Sequence, residues 1–215
     1  PPLGAVVLAV AATRFFGSGE LAQNAGKTGG RGLYRSAPLL LLIAVIATLG
    51  LLSEGEMEHW SGVYLRNTLG LSALLGGSGV AVFYGSMAVG RLGAAFVIDR
   101  FGDRRTLLGA GLLTAGGMAL ALATREPLLV VAGFLVVGLA LSAVVPVAFS
   151  VAGDIAPQNA GAAVSVVTTL GYGGFLLGPV IVGGLAEIAG LRGALGVIVV
   201  SGVLIFALSL RLKLS

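Results

Sequence analysis

Pro127-Leu-Leu-Val-Val-Ala-Gly-Phe-Leu-Val-Val-Gly-Leu-Ala-Leu-Ser-Ala-Val-Val-Pro-Val-Ala-Phe-Ser150 runs without one charged residue. An α-helix rises about 1.5 Å per residue, so roughly 20 apolar residues cross a hydrocarbon layer of ~30 Å. This stretch is long enough, and so are 38–65, 71–98, 106–124, 160–186 and 192–212. In lipid every backbone polar group must be satisfied within the protein, which leaves helices and closed barrels as spanning structures. The inside/outside alternation of barrel strands is missing from these runs, so the fold class is an all-α, multi-pass membrane bundle.

Composition points the same way. Of 215 residues, 57% are hydrophobic before 36 glycines are counted, and only 10% are charged, against about 25% in soluble domains. A soluble domain of this size has too little interior to hide that much apolar surface. A soluble enzyme, a nucleic-acid partner and a disordered tail are excluded on that ground. The absence of cysteine removes disulfide and thiolate chemistry. No Ser-His-Asp set, phosphate-binding Gly-rich loop or metal-ligand spacing is present, so neither an enzyme nor a cofactor is expected.

Residues 3–12 are apolar but short of a full span. Residues 1–16 read as the tail of a truncated transmembrane helix, and 17–37, glycine-rich with Lys27, Arg31 and Arg35, as a flexible basic linker. Residues 38–215 then form a six-helix bundle. Short breaks at 66–70, 99–105, 125–127, 153–159 and 189–192 make consecutive helices antiparallel neighbours. Counted on alternate sides, Arg14, Lys27, Arg31, Arg35, Arg100, Arg104, Arg105, Arg211 and Lys213 oppose Arg66, Arg125 and Arg192. The richer side is expected in the cytoplasm, with the carboxyl terminus, which places the chain in the inner membrane.

The break at 99–105 belongs to Gly90-Arg-Leu-Gly-Ala-Ala-Phe-Val-Ile-Asp-Arg-Phe-Gly-Asp-Arg-Arg-Thr-Leu107. It resembles the cytoplasmic-loop signature of the major facilitator superfamily, Gly-x-Leu-Ala-Asp-Arg-x-Gly-Arg-Arg/Lys-x-x-Leu. Asp99, Arg100, Gly102, Arg104 and Leu107 match, whereas Ala95, Val97, Ile98 and Asp103 depart from it. The layout is similar to the carboxyl-terminal half of a twelve-helix transporter. Segments 54–66 and 168–179 are similar to its rhizopine-transport-like and fucose-permease-like branch. The resemblance implies a secondary transporter working by alternating access, a small-molecule substrate, and the missing amino-terminal half as partner within the bilayer. It also implies a conformational latch at Asp99, Arg100, Gly102 and Arg104, an acid at a helix end accepting from the amino end of a neighbouring helix. Proton coupling stays open, because fucose-type permeases associate their coupling acids with the other half. The alternative is a non-transporting bundle with a structural or partner-binding role.

Ionisable groups inside a span are functional candidates. Glu54 lies about 22 Å along a helix beginning near Leu39, and it is expected to face a watery cavity. Glu56, Trp60 and Tyr64 share a face at four-residue spacing. Trp60 is a candidate for stacking on a sugar or polyol, and Tyr64 and Glu58 are expected at the outer interface. Tyr84 and Tyr172 lie mid-span with hydroxyls that need partners, which makes them cavity candidates. Arg91 is expected in a structural ion pair. Gly174-x-x-x-Gly178 reads as a close-packing face, and Gly178 with Pro179 as a helix bend.

Overall fold

The structure, a computed structural model, describes residues 30–212, with side chains from residue 38 onward. The tail assigned to 1–16 and most of the linker assigned to 17–37 lie outside the described residues. Residues 30–37 have helical backbone continuous with the first span. In chain order, α1 (Gly30–Val63) runs into a π-helical turn (Tyr64–Thr68), followed by α2 (Ala73–Phe101), α3 (Asp103–Ala123), α4 (Pro127–Leu141) and α5 (Val144–Ile155). A 3₁₀ turn (Pro157–Asn159), α6 (Ala160–Ala194) and α7 (Gly196–Arg211) complete it. The described residues contain no strand. Five segments are long and apolar enough to cross a membrane: Pro38–Thr68, Ala73–Phe101, Asp103–Ala123, Pro127–Ile155 and Pro157–Ala194. Gly196–Arg211 is a shorter apolar helix.

Local chemistry sets the boundaries. Gly102 ends α2 and begins α3 at φ 78°, ψ 160°, a left-handed backbone that glycine adopts without steric cost, so one residue reverses the chain. Ser72 caps α2 by accepting from the Leu75 N–H at 3.4 Å. Pro127 opens α4 at its first position, where its missing N–H has no helical partner to lose. The fourth span, expected as one helix, is interrupted at Ser142–Ala143. Pro146, four residues past Ser142, cannot donate to the Ser142 carbonyl and crowds it, which accounts for the break. α6 keeps helical dihedrals through Gly178 and Pro179; its departure is at Gly190, φ 68°, ψ 160°.

α1 is the central element, touching α2, α5, α6 and α7, while α3 packs between α4 and α7. The seams are backbone against backbone. A Cβ added to Gly174 would sit 2.6 Å from the Thr48 carbonyl oxygen and one on Gly178 2.7 Å from that of Leu52, and one on Gly55 would collide with that of Phe175. The Gly174–Gly178 face therefore serves the α1–α6 contact, where lipid supplies no hydrophobic drive and dispersion must come from close approach. Two arginines tie helix ends together. Arg104 donates to the carbonyls of Ser209 and Leu210 at 3.3 and 3.0 Å. Arg192 donates to those of Leu122 and Thr124. Each cation meets carbonyls at the carboxyl end of a helix, the negative end of its dipole. Outward surfaces carry Leu74, Leu92, Phe96, Leu128 and Ile188, all strongly exposed, as suits contact with lipid.

Glu56 lies inside the α1–α6 seam. It is fully buried, and both carboxyl oxygens lack a hydrogen-bond partner among the described residues. Its Cγ would be 3.2 Å from a Cβ on Gly178. Tyr64, expected at the membrane interface, is also fully buried and meets the Phe134 ring at a centroid distance of 6.4 Å.

The seam predicts a contrast in thermal unfolding of the detergent-solubilised protein. Gly174→Leu is expected to cost about 3 kcal/mol, since backbone cannot yield to a new side chain. Gly184→Ala, with nothing within 4 Å of the added Cβ, is expected to stabilise by about 0.5–1 kcal/mol. Equal effects from the two would refute the seam. Glu56→Gln is expected to change stability by no more than about 1 kcal/mol, because no ion pair is lost; a loss of about 3 kcal/mol or more would reveal a charged partner.

Candidate functional site

Two antiparallel helices bring the embedded charges together. Glu54 and Glu58 stand four residues apart on α1 and so share one face; opposite them, Tyr84 and Arg91 stand seven apart on α2, again one face. A guanidinium nitrogen of Arg91 is 3.7 Å from Glu54 Oε1. The Tyr84 hydroxyl donates to Glu58 Oε2 at 2.6 Å, and its ring is fixed edge-on to Phe83 at 5.1 Å. The Glu54 side chain is only 13% exposed, but Arg91 is 53% exposed. The strip is therefore anchored on its α1 side and open on its arginine side. It offers a cation, two carboxylates and a phenol to a polar molecule within one short stretch of two spans. At 3.7 Å the Arg91–Glu54 contact is electrostatic and longer than a well-formed hydrogen bond, so Arg91 keeps donors to offer.

Arg91 thus has an ion pair, as expected, and its partner is Glu54. Glu58, expected among outer headgroups, is half-buried and accepts a hydrogen bond from Tyr84. The spacing held a clue: Glu58 follows Glu54 by one turn, and Tyr84 precedes Arg91 by two, in the same direction across an antiparallel pair.

Other candidates lie elsewhere. The Trp60 indole N–H donates to the Pro179 carbonyl at 3.2 Å, and its ring reaches Gly183, so it sits on the α6 side of α1, apart from Glu54 and Tyr84. Tyr172 is 55% exposed and touches Phe175, ring centroids 6.4 Å apart; the structure does not bring it to the strip. His59 is exposed, and its Nδ1 is 2.8 Å from the Gly55 carbonyl; since that carbonyl only accepts, Nδ1 carries the proton. No group of His, Cys, Asp or Glu among the described residues is arranged to hold a metal ion.

The loop signature divides. Gly102 makes the turn and Arg104 holds the end of α7. Asp103 begins α3, an acid at the positive helix end. Asp99 and Arg100 are exposed and make no hydrogen bond or ion pair with the described residues.

Comparison with known proteins agrees with this architecture. Residues 40–214 match the family model of the Major Facilitator Superfamily. An uncharacterized MFS-type transporter of Yersinia pestis is 34% identical over 183 residues, covering 82% of this chain and 48% of that protein. Membrane protein MosC of Rhizobium meliloti is 32% identical over 166 residues, covering 77% of this chain and 41% of its own. The chain spans about half the length of these curated relatives. The crystal structure of a peptide transporter in complex with alafosfalin has the same fold, with a TM-score of 0.73 at 18% identity over 80% of this chain and 37% of that one. The family that the Gly90–Leu107 loop resembles is the family matched over residues 40–214: the chain belongs to the Major Facilitator Superfamily.

Proposed function

We propose that this chain is the carboxyl-terminal half of a secondary transporter that moves a small polar solute, of the sugar, polyol or drug-like class, across the inner membrane by alternating access. The observation that carries the reading is the Arg91–Glu54 pair within two apolar spans. A half-exposed guanidinium beside a largely buried carboxylate is costly in hydrocarbon, and it suits a face turned to a water-filled cleft between two bundles. Tyr84 and Glu58 extend the same face and can exchange hydrogen bonds with hydroxyls. Trp60 of α1, which donates to Pro179 of α6, and Tyr172 of α6 lie off this face and are not part of the proposed contact set. Energy comes from the solute gradient, with protons as the candidate coupling ion and Glu54 as their local acceptor. The amino-terminal half supplies the opposite wall. Asp99 and Arg100 remain available to that half at the cytoplasmic end, where a latch needs a partner outside this bundle.

The site is tested by solute binding and uptake in the full-length parent protein. Glu54→Gln and Arg91→Gln are each expected to weaken binding at least tenfold. The double variant is expected to be no worse than the poorer single one, since the two groups act as a pair. Tyr84→Phe, which removes one neutral donor to a carboxylate, is expected to cost about three- to tenfold. Unchanged binding in both Glu54→Gln and Arg91→Gln would refute the assignment. The latch is tested separately: Asp99→Asn is expected to shift cysteine-accessibility labelling toward the inward-open form, and an unshifted pattern would remove Asp99 from that role.

A further inference from the structure

We propose that the groove between α2, α3 and α4 binds an anionic phospholipid, one acyl chain lying in the groove and the headgroup phosphate on Arg105. α2 and α3 touch sparingly although Gly102 alone joins them, and α4 lies behind both. The gap is a cavity of about 420 Å³ walled by Val89, Gly93 and Val97 of α2, Gly109 and Leu113 of α3, and Leu139 of α4. Its width depends on absent side chains: a Cβ on Gly93 or on Gly109 would meet nothing within 4 Å.

The polar inventory selects the ligand. Two hydroxyls line the groove, and both are used by their own helices: Thr106 donates to the Gly102 carbonyl at 2.9 Å and Ser142 to the Leu139 carbonyl at 2.6 Å. A sugar or other polar solute finds few partners there. Arg105 is the one charged residue in the lining, and it makes no hydrogen bond or ion pair with the described residues. It stands on the first turn of α3, beside Arg104 and close to Arg100, at the end of two membrane spans and therefore at headgroup depth. An apolar slot with an uncommitted cation at its interfacial mouth is complementary to an amphiphile with a negative head, and no acid in the lining offsets that charge. The site is separate from the Glu54–Arg91 strip and does not depend on which solute is carried.

The test is a titration of the intact protein, delipidated in mild detergent, with phosphatidylglycerol or phosphatidylcholine, read by native mass spectrometry. Phosphatidylglycerol is expected to bind about fivefold more tightly, the factor that corresponds to about 1 kcal/mol per interfacial arginine. Arg105→Gln is expected to abolish the preference, and Arg105→Lys to retain most of it. Gly93→Leu with Gly109→Leu, which fills the slot, is expected to weaken binding of both lipids. The proposal is overturned if the native protein binds both lipids equally, if Arg105→Gln keeps the preference, or if the filled groove binds as before. The first outcome is what coverage of the groove by the transporter's other half would produce, and the last would place the lipid elsewhere.

Discussion

Close approach of backbones is the constraint on which this bundle rests. Lipid tails are as apolar as leucine, so burying leucine between helices gains little, and contact must come from packing at short range. Along α1–α6 the glycines at 55, 174 and 178 leave room for the carbonyls of Phe175, Thr48 and Leu52. The same device recurs between α3 and α7, where a Cβ on Gly111 would lie 2.7 Å from the Gly202 carbonyl oxygen and one on Gly202 2.8 Å from that of Gly111. Small residues at the seams and large ones outside reverse the pattern of a water-soluble core, and they explain why so glycine-rich a chain is helical.

Arginine supplies the second support, at the helix ends. Arg104 stands at the start of α3 and grips the end of α7; Arg192, near the end of α6, grips the end of α3. Each holds the carboxyl end of a helix, the negative end of its dipole. This divides the loop signature physically. Gly102 and Arg104 are engaged within the bundle, Gly102 through its backbone angle and Arg104 through its carbonyl partners. The side chains of Asp99 and Arg100 have no such engagement among the described residues.

Five of the six expected spans and the family were legible in the sequence, because length, hydropathy and the Gly90–Leu107 motif do not depend on how helices are rotated; the sixth, expected over 192–212, is the shorter helix Gly196–Arg211 because α6 continues to Ala194. Rotation was the illegible part. In a soluble helix the polar face marks the outside; in α2, α4 and α6 large apolar residues lie on lipid-facing and protein-facing sides alike, since lipid and protein interior ask for the same residues. Hence the burial of Tyr64 against Phe134 and the bond between Glu58 and Tyr84 could not be read from the residues alone. The break at Ser142–Ala143 was hidden for another reason. Its cause, Pro146, lies within an uninterrupted apolar run whose composition signals only a span.

The acid cluster near the end of α1 shows what rotation decides. Glu54 and Glu56 are two residues apart, so their side chains leave the helix about 200° from one another. Glu54 meets Arg91; Glu56 meets Gly178 of α6, and its carboxyl oxygens have no hydrogen-bond partner among the described residues. A buried carboxyl group without a hydrogen-bond partner costs more than one with a partner, so the tight α1–α6 seam carries a polar cost at Glu56 that the α1–α2 strip offsets by setting Glu54 beside Arg91. Identical side chains thus belong to different chemistry: Glu54 to an open polar surface, Glu56 to a closed interface that would have to part before water could reach it. Packing, not residue type, assigns the two roles.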